Sequence, residues 1–236
     1  MQQLGQTRSG HGADHILQTP DTFVRSPFPG IVNGMAIVHM SPARGARFTQ
    51  YTAELQSGGV LKPAAVQRFA YVLEGDVLAG AALLQAGGYL YLPAGCDIEI
   101  SAESPARLVV IEKPYEPLAE VAPPAYFAGN ERLVKSEPLN DNPSLQVRCL
   151  VPGEPAFDFA VNTMTFQPGA SLHMVEMHVM EHGLLILEGG GIYRLGEKWY
   201  PVTEGDFIWM APFCPQWFGA LGEKPAKYLI YKDWNR

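Results

Sequence analysis

The sequence predicts an all-β protein made of two tandem sandwich or barrel units. Three observations lead there. Twenty-four glycines and twenty prolines punctuate short, alternating, aromatic-rich runs, the pattern of many short strands joined by turns. The chain also repeats itself at about 115 to 120 residues, the size of a domain. Finally, a Pro-rich stretch from Pro114–Pro117 to Pro123–Pro124 separates the halves, and proline there removes ladder donors.

The repeat is legible in three pairs of segments. Phe69–Gly75 (FAYVLEG) resembles Gly183–Gly189 (GLLILEG). Gly87–Gly95 (GGYLYLPAG) resembles Gly205–Pro212 (GDFIWMAP), and Leu108–Lys113 (LVVIEK) resembles Tyr228–Lys232 (YLIYK), making Lys113 the repeat partner of Lys232. The expected organisation is an arm over 1–30, where Pro20, Pro27, Pro29 and Gly30 cluster, a first unit over 31–124, and a second over 125–236.

Composition narrows the function. Apolar residues make up 47% and charged residues 17% of the 236, which supports a folded core rather than disorder. The net charge is −7 with no basic run, which disfavours nucleic acid and anionic membranes as partners. The polar start Met1–Gln6 reads as no secretory signal, and no apolar run approaches the ~20 residues of a membrane span. Three widely spaced cysteines, Cys96, Cys149 and Cys214, fit reduced thiols. The expectation is a cytoplasmic protein.

The chemistry concentrates in the second half. Glu176, His178 and His182 fall at spacings of two and four, so on a regular strand they project from one face. A carboxylate and two imidazoles converging inside a sheet are costly to bury without a cation. Gln216, beyond the Gly205–Pro212 hairpin, offers a fourth donor. This mixed, fairly hard set suits Mn²⁺ or Fe²⁺ with positions left for substrate. Glu181 alternates away from that face and reads as solvated; His11, His15 and His39 read as surface residues. His173 reads as a loop residue, and Trp199, Trp209, Trp217 and Trp234 as core or interface. Tyr193 either lines the pocket or packs.

The glycine frame Gly169, Gly189 and Gly205 around these residues resembles the two-motif pattern of a bicupin, two double-stranded β-helix (jelly-roll) domains in tandem. The usual His-x-His, Glu and final His are permuted here to Glu176, His178, His182 and Gln216. The Gly169–Glu176 spacing is one residue longer than usual, and Ala211 and Phe213 replace a Pro and a Gly. That permutation resembles the (S)-ureidoglycine aminohydrolases, manganese bicupins of purine and allantoin breakdown. The likeness is strong from about 157 to 236, through Val175–Gly183, Gly191–Tyr193, Trp199–Asp206 and Tyr228–Asp233.

The resemblance implies a metal held by Glu176, His178, His182 and Gln216. It implies substrate contacts from Glu176, Gln216, Tyr228 and Lys232. The implied enzyme is an ammonia-releasing hydrolase, acting on an amidine-type C–N bond, that converts (S)-ureidoglycine to (S)-ureidoglycolate. Glu176 then serves as ligand and proton shuttle, and Lys232 neutralises the substrate carboxylate. A homo-oligomer is expected, since open sheet edges invite pairing. Alternatives are another mononuclear-metal cupin enzyme, such as a dioxygenase or decarboxylase, and a non-catalytic cupin binding protein. The first half is an internal control. Counting from its glycines puts Lys62, Ala64, Arg68 and Ile98 where Glu176, His178, His182 and Gln216 stand, a set that holds no metal.

Overall fold

The computed structural model describes residues 6–233, so Trp234 lies outside the described residues. Apart from three short 3-10 turns, every described element is a strand. No described helix is long and apolar enough to cross a membrane. The bicupin architecture expected from the glycine-punctuated repeat is present as two compact units.

One unit spans 24–135 together with 150–158. Its strands form a ten-stranded sheet running from Phe127–Asn130 through Gly88–Leu92, Gln67–Glu74, Ala106–Lys113 and Thr49–Leu61. Tyr51, Leu55, Leu61, Leu90, Leu108 and Val110 are among its buried core. The other unit comprises 1–23, 136–149 and 159–236. Its larger sheet places His15–Gln18, Phe207–Met210, His182–Glu188, Ala226–Asp233 and Phe159–Phe166 side by side. A three-stranded sheet, Lys198–Thr203, Gly190–Leu195 and Gln216–Ala220, shares a core with it through Leu184, Ile186, Leu195, Phe218 and Tyr228.

These boundaries differ from 1–30, 31–124 and 125–236. The start of the chain is not a free arm, because His15–Gln18 pairs with Phe207–Met210 and buries Ile16 and Leu17. Phe127–Asn130, placed by sequence in the second unit, instead edges the first unit's sheet through Gly88–Leu92. In both cases hydrogen-bonded partners far away in sequence outweigh a local proline signal.

The repeat holds in three dimensions. Ala106–Lys113 and Ala226–Asp233 have the same length and the same alternation of buried and half-buried positions. The strands paired with them, Gln67–Glu74 and His182–Glu188, each end at a glycine with positive φ, Gly75 and Gly189. An added Cβ there would strike the carbonyl of Pro105 or Pro225, so the close approach as well as the left-handed backbone requires glycine. Arg68 faces Glu112 and Leu92, as His182 faces Lys232 and Met210. The structural partner of Lys232 is therefore Glu112, not Lys113. Lys113 is buried and held by Asp158, with Nζ 3.2 Å from its carboxylate.

Arg68 does occupy the His182 position, and it fills that position with its own counter-charge. Its guanidinium lies 2.6 Å from the Glu112 carboxylate and donates to the Lys62 carbonyl, while Tyr51 donates to Glu112. The first unit thus closes with an internal ion pair the place that the second unit uses for donors. Breaking one side of a buried pair strands the other charge, at roughly 3 kcal/mol, whereas an apolar replacement of both is near neutral. Glu112→Gln is expected to lower unfolding stability in urea by about 3 kcal/mol, and Arg68→Met/Glu112→Leu to restore most of it. A Glu112→Gln loss below about 1 kcal/mol would show that the pair has no such role.

Candidate metal and substrate site

The four expected ligands come together in the second unit, though not from a regular strand. Residues 172–181 form no continuous ladder, and the strand begins only at His182. The segment is tacked to Gln216–Ala220 by two isolated bridges, Ser171 with Gly219 and Glu176 with Gln216. Glu176 N–H donates to the Gln216 carbonyl at 2.8 Å, and Gln216 N–H returns a bond at 2.9 Å. Leu172 N–H bonds the Phe218 carbonyl, and the Trp217 indole donates to the Leu172 carbonyl at 2.6 Å. The shared direction of Glu176 and His178 thus comes from this edge pairing and not from strand alternation over the whole stretch.

His182 is buried at 2% exposure, Gln216 at 4%, and Glu176 and His178 are half-buried. The His178 and His182 rings lie 5.2 Å apart, and His178 Nε2 sits 3.2 Å from a Glu176 oxygen. Tyr193, fully buried, donates its hydroxyl to Gln216 Oε1 at 3.1 Å. That bond fixes which end of the amide presents oxygen. Glu176, His178 and His182 do not reach a mutual spacing of 4.8 Å; Asp14, His15 and Cys214 do.

Desolvation pushes the His182 pKa down to about 3, helped by the nearby charges of Lys232 and His178. The Glu181 and Tyr231 carbonyls pull it partly back, yet no hydrogen bond of ordinary geometry reaches His182 Nδ1, a buried atom without a partner. A neutral imidazole with an unspent buried nitrogen fits a cation better than a satisfied core histidine. Nitrogen donors from two imidazoles, a carboxylate and an oriented amide oxygen make a set suited to a divalent first-row ion.

Lys232 lies in register with His182 on the neighbouring strand. Burial lowers its pKa, and the Glu176 carboxylate offsets part of that shift. Its ammonium makes no hydrogen bond or ion pair with any described residue. Tyr228, buried against Phe166 and Phe218 but with no hydrogen bond from its hydroxyl to a described residue, has its pKa raised by desolvation, with contributions from Tyr193 and Glu176. Tyr193 is raised by desolvation and by Glu176. Glu176, Tyr193, Tyr228 and Lys232 thus share one electrostatic neighbourhood around His182.

Several residues fall elsewhere than the sequence suggested. Glu181 is buried, not solvated, and accepts the Trp209 indole N–H at 2.9 Å. His15 and His39 are buried; only His11 of that trio is exposed. Phe213, at the place of a usual glycine, takes positive φ (64°) and remains exposed. Trp199 is exposed, with Arg194 over its ring. All three cysteines are free. Sequence missed the N-terminal residues that reach this unit, Arg8, Asp14 and His15; the cluster Gly10-His11-Gly12 was their only local signal.

Comparison with known proteins finds relatives over nearly the whole chain. A family model described as "Cupin domain" matches residues 162–231. The (S)-ureidoglycine aminohydrolase of Arabidopsis thaliana is 40% identical over 98% of this chain and 80% of its own length. The (S)-ureidoglycine aminohydrolase of Escherichia coli is 32% identical over 96% and 90%. The crystal structure of the E. coli protein Ylba superposes with a TM-score of 0.82 at 30% identity, covering 94% of this chain and 92% of that one. Bacillus subtilis oxalate decarboxylase, whose Mn(II) centres were studied, shares the fold at a TM-score of 0.71 and 10% identity over 98% of this chain and 80% of that one.

Proposed function

The chain belongs to the (S)-ureidoglycine aminohydrolase family, and on that premise we propose how its residues convert (S)-ureidoglycine to (S)-ureidoglycolate and ammonia, within allantoin breakdown. The observation that carries the assignment is Lys232. Its half-buried ammonium has no partner among the described residues and stands in register with the buried, neutral His182. An unpaired ammonium there calls for an anionic ligand, and the substrate's carboxylate is one.

Glu176, His178, His182 and Gln216 would hold one divalent cation, which we assign as Mn²⁺. When bound, that ion supplies Lewis acidity toward the substrate's polar atoms and toward water. Tyr193 keeps the Gln216 oxygen turned to the site. Lys232 clamps the carboxylate, and the Tyr228 hydroxyl, free of protein partners, donates to the substrate beside it. In the reaction the C–N bond to the amine breaks and a C–O bond to water's oxygen forms. A proton of that water departs with the amine as ammonia. Glu176 is the carboxylate placed to carry it, since its charge is felt by Tyr193, Tyr228 and Lys232 together. Among the described residues no other carboxylate is felt by all three.

Chelator-stripped protein refilled with Mn²⁺ is expected to hold one equivalent per chain by elemental analysis, and His178→Ala/His182→Ala none. Two equivalents, or metal retained by the double variant, would overturn the site. Loss of a charged hydrogen bond costs about 1.5 to 3 kcal/mol, roughly tenfold to a few hundredfold in rate. Lys232→Met should lower kcat/KM for ammonia release from fresh ureidoglycine by that factor while metal content holds. Unchanged turnover per folded molecule would remove Lys232 from the mechanism.

Assembly as a homo-oligomer belongs to the same proposal. Met174, Met177 and Phe213 are exposed apolar residues around the ligand segment, a surface that association would cover. Light scattering at micromolar concentration is expected to give a multiple of the 25.8 kDa chain mass; a stable monomer would contradict it.

A further inference from the structure

We infer that the N-terminal segment Gly10–His15 is a strap that positions Gln216, with Asp14 as its working residue. The inference rests on the site reading above only where metal affinity is used as a readout. Asp14 meets the loop between Met210 and Gln216 at two points. Its carbonyl accepts the Ala211 N–H at 2.8 Å, and its carboxylate lies within 4.8 Å of the Cys214 sulfur.

The carboxylate is itself held. Asp14 Oδ1 lies 2.7 Å from His15 Nδ1, and His15 Nε2 lies 2.9 Å from the Tyr200 hydroxyl. Both imidazole nitrogens are thereby spent. For that reason the close trio Asp14, His15 and Cys214 reads as a hydrogen-bond chain and not as a second cation site. The glycines are part of the device. A Cβ on Gly10 would meet the Tyr200 ring, and one on Gly12 the His15 ring. Tyr200 in turn pairs across the sheet with Tyr193, the residue that holds the Gln216 amide.

From the opposite side, the same loop is tied to the ligand segment. Phe213 N–H donates to the His178 carbonyl at 2.7 Å, and Gln216 exchanges two backbone bonds with Glu176. The loop thus sits between Asp14 and the backbone of three of the four proposed ligands. Without its carboxylate Asp14 keeps the carbonyl bond to Ala211 but loses its anchor in His15 and Tyr200, and one wall of that clamp loosens. Loss of a group that orients ligands commonly weakens metal affinity by about 10- to 100-fold.

Two readouts test the strap. In metal-free protein, Asp14→Ala should speed amide hydrogen exchange across 211–216 by about tenfold or more, the signature of local opening. In the same variant, Mn²⁺ affinity by titration should fall about 10- to 100-fold. Asp14→Asn, which keeps an acceptor for His15, should fall between and serves if Asp14→Ala folds poorly. Arg8→Ala is the control. It removes the bond from Arg8 to Asp206 (2.8 Å) at the far end of the Phe207–Met210 strand. It should lower thermal stability yet leave both readouts within about twofold, since Arg8 does not touch the loop. Unchanged exchange in both Asp14 variants, or equal effects from Arg8→Ala, would overturn the strap. If wild-type protein takes up no Mn²⁺, the metal reading fails, and the exchange experiment still decides the strap on its own.

Discussion

Adjacent strands place a pair of side chains next to each other near one end of each unit, and the charges at that pair decide what the unit can do. In the first unit the pair is Arg68 and Glu112, which neutralise each other at 2.6 Å. In the second it is His182 and Lys232, two basic groups, and the Glu176 charge reaches Lys232 without a hydrogen bond or ion pair. Burial keeps one of them neutral and leaves the other without a protein partner. The first arrangement is self-sufficient. The second leaves a buried imidazole nitrogen and an ammonium without protein partners. The same registered pair of positions thus carries a closed ion pair in one unit and two unpaired basic groups in the other.

The backbone around that pair is arranged to tolerate the unsatisfied groups. Two residues outside any continuous ladder are still held by backbone bonds, Glu176 to Gln216 and His178 to Phe213. The amide of Gln216 is oriented by a fully buried phenol. Orientation by neighbours outside the donor set is what keeps such a site ready without a large rearrangement. Phe213, forced into a glycine-like conformation beside it, is the local strain this arrangement stores.

Sequence carried the architecture well because turn glycines act locally. Gly75 and Gly189 each require a left-handed φ and a close backbone approach, and both constraints are written at single positions. The ligand spacing was legible for the same reason. What was not legible depends on which strands meet. The alignment of Lys113 with Lys232 erred by one residue, and in a strand one residue changes the face; only the register with Arg68 and His182 identifies Glu112. Glu181 was assigned to solvent by alternation, but Trp209 on the next strand covers it. The N-terminal arm looked unstructured because its partner strand lies at the other end of the sequence.

That last separation has a bearing on biosynthesis. His15 meets Tyr200 across 185 residues of chain, and at translation rates of roughly 5 to 20 residues per second the segment waits about ten to forty seconds for its partner. Ile16 and Leu17, buried in the finished unit, have no sheet to enter during that interval. The unit built from 24–135 has most of its strands in hand by then and can form while the first strand of the other unit is idle. Such long-range pairing also slows folding in general. The unit that holds 159–236 is therefore the last part of the molecule to close, since Phe207–Met210 must be made before His15–Gln18 has a strand to join.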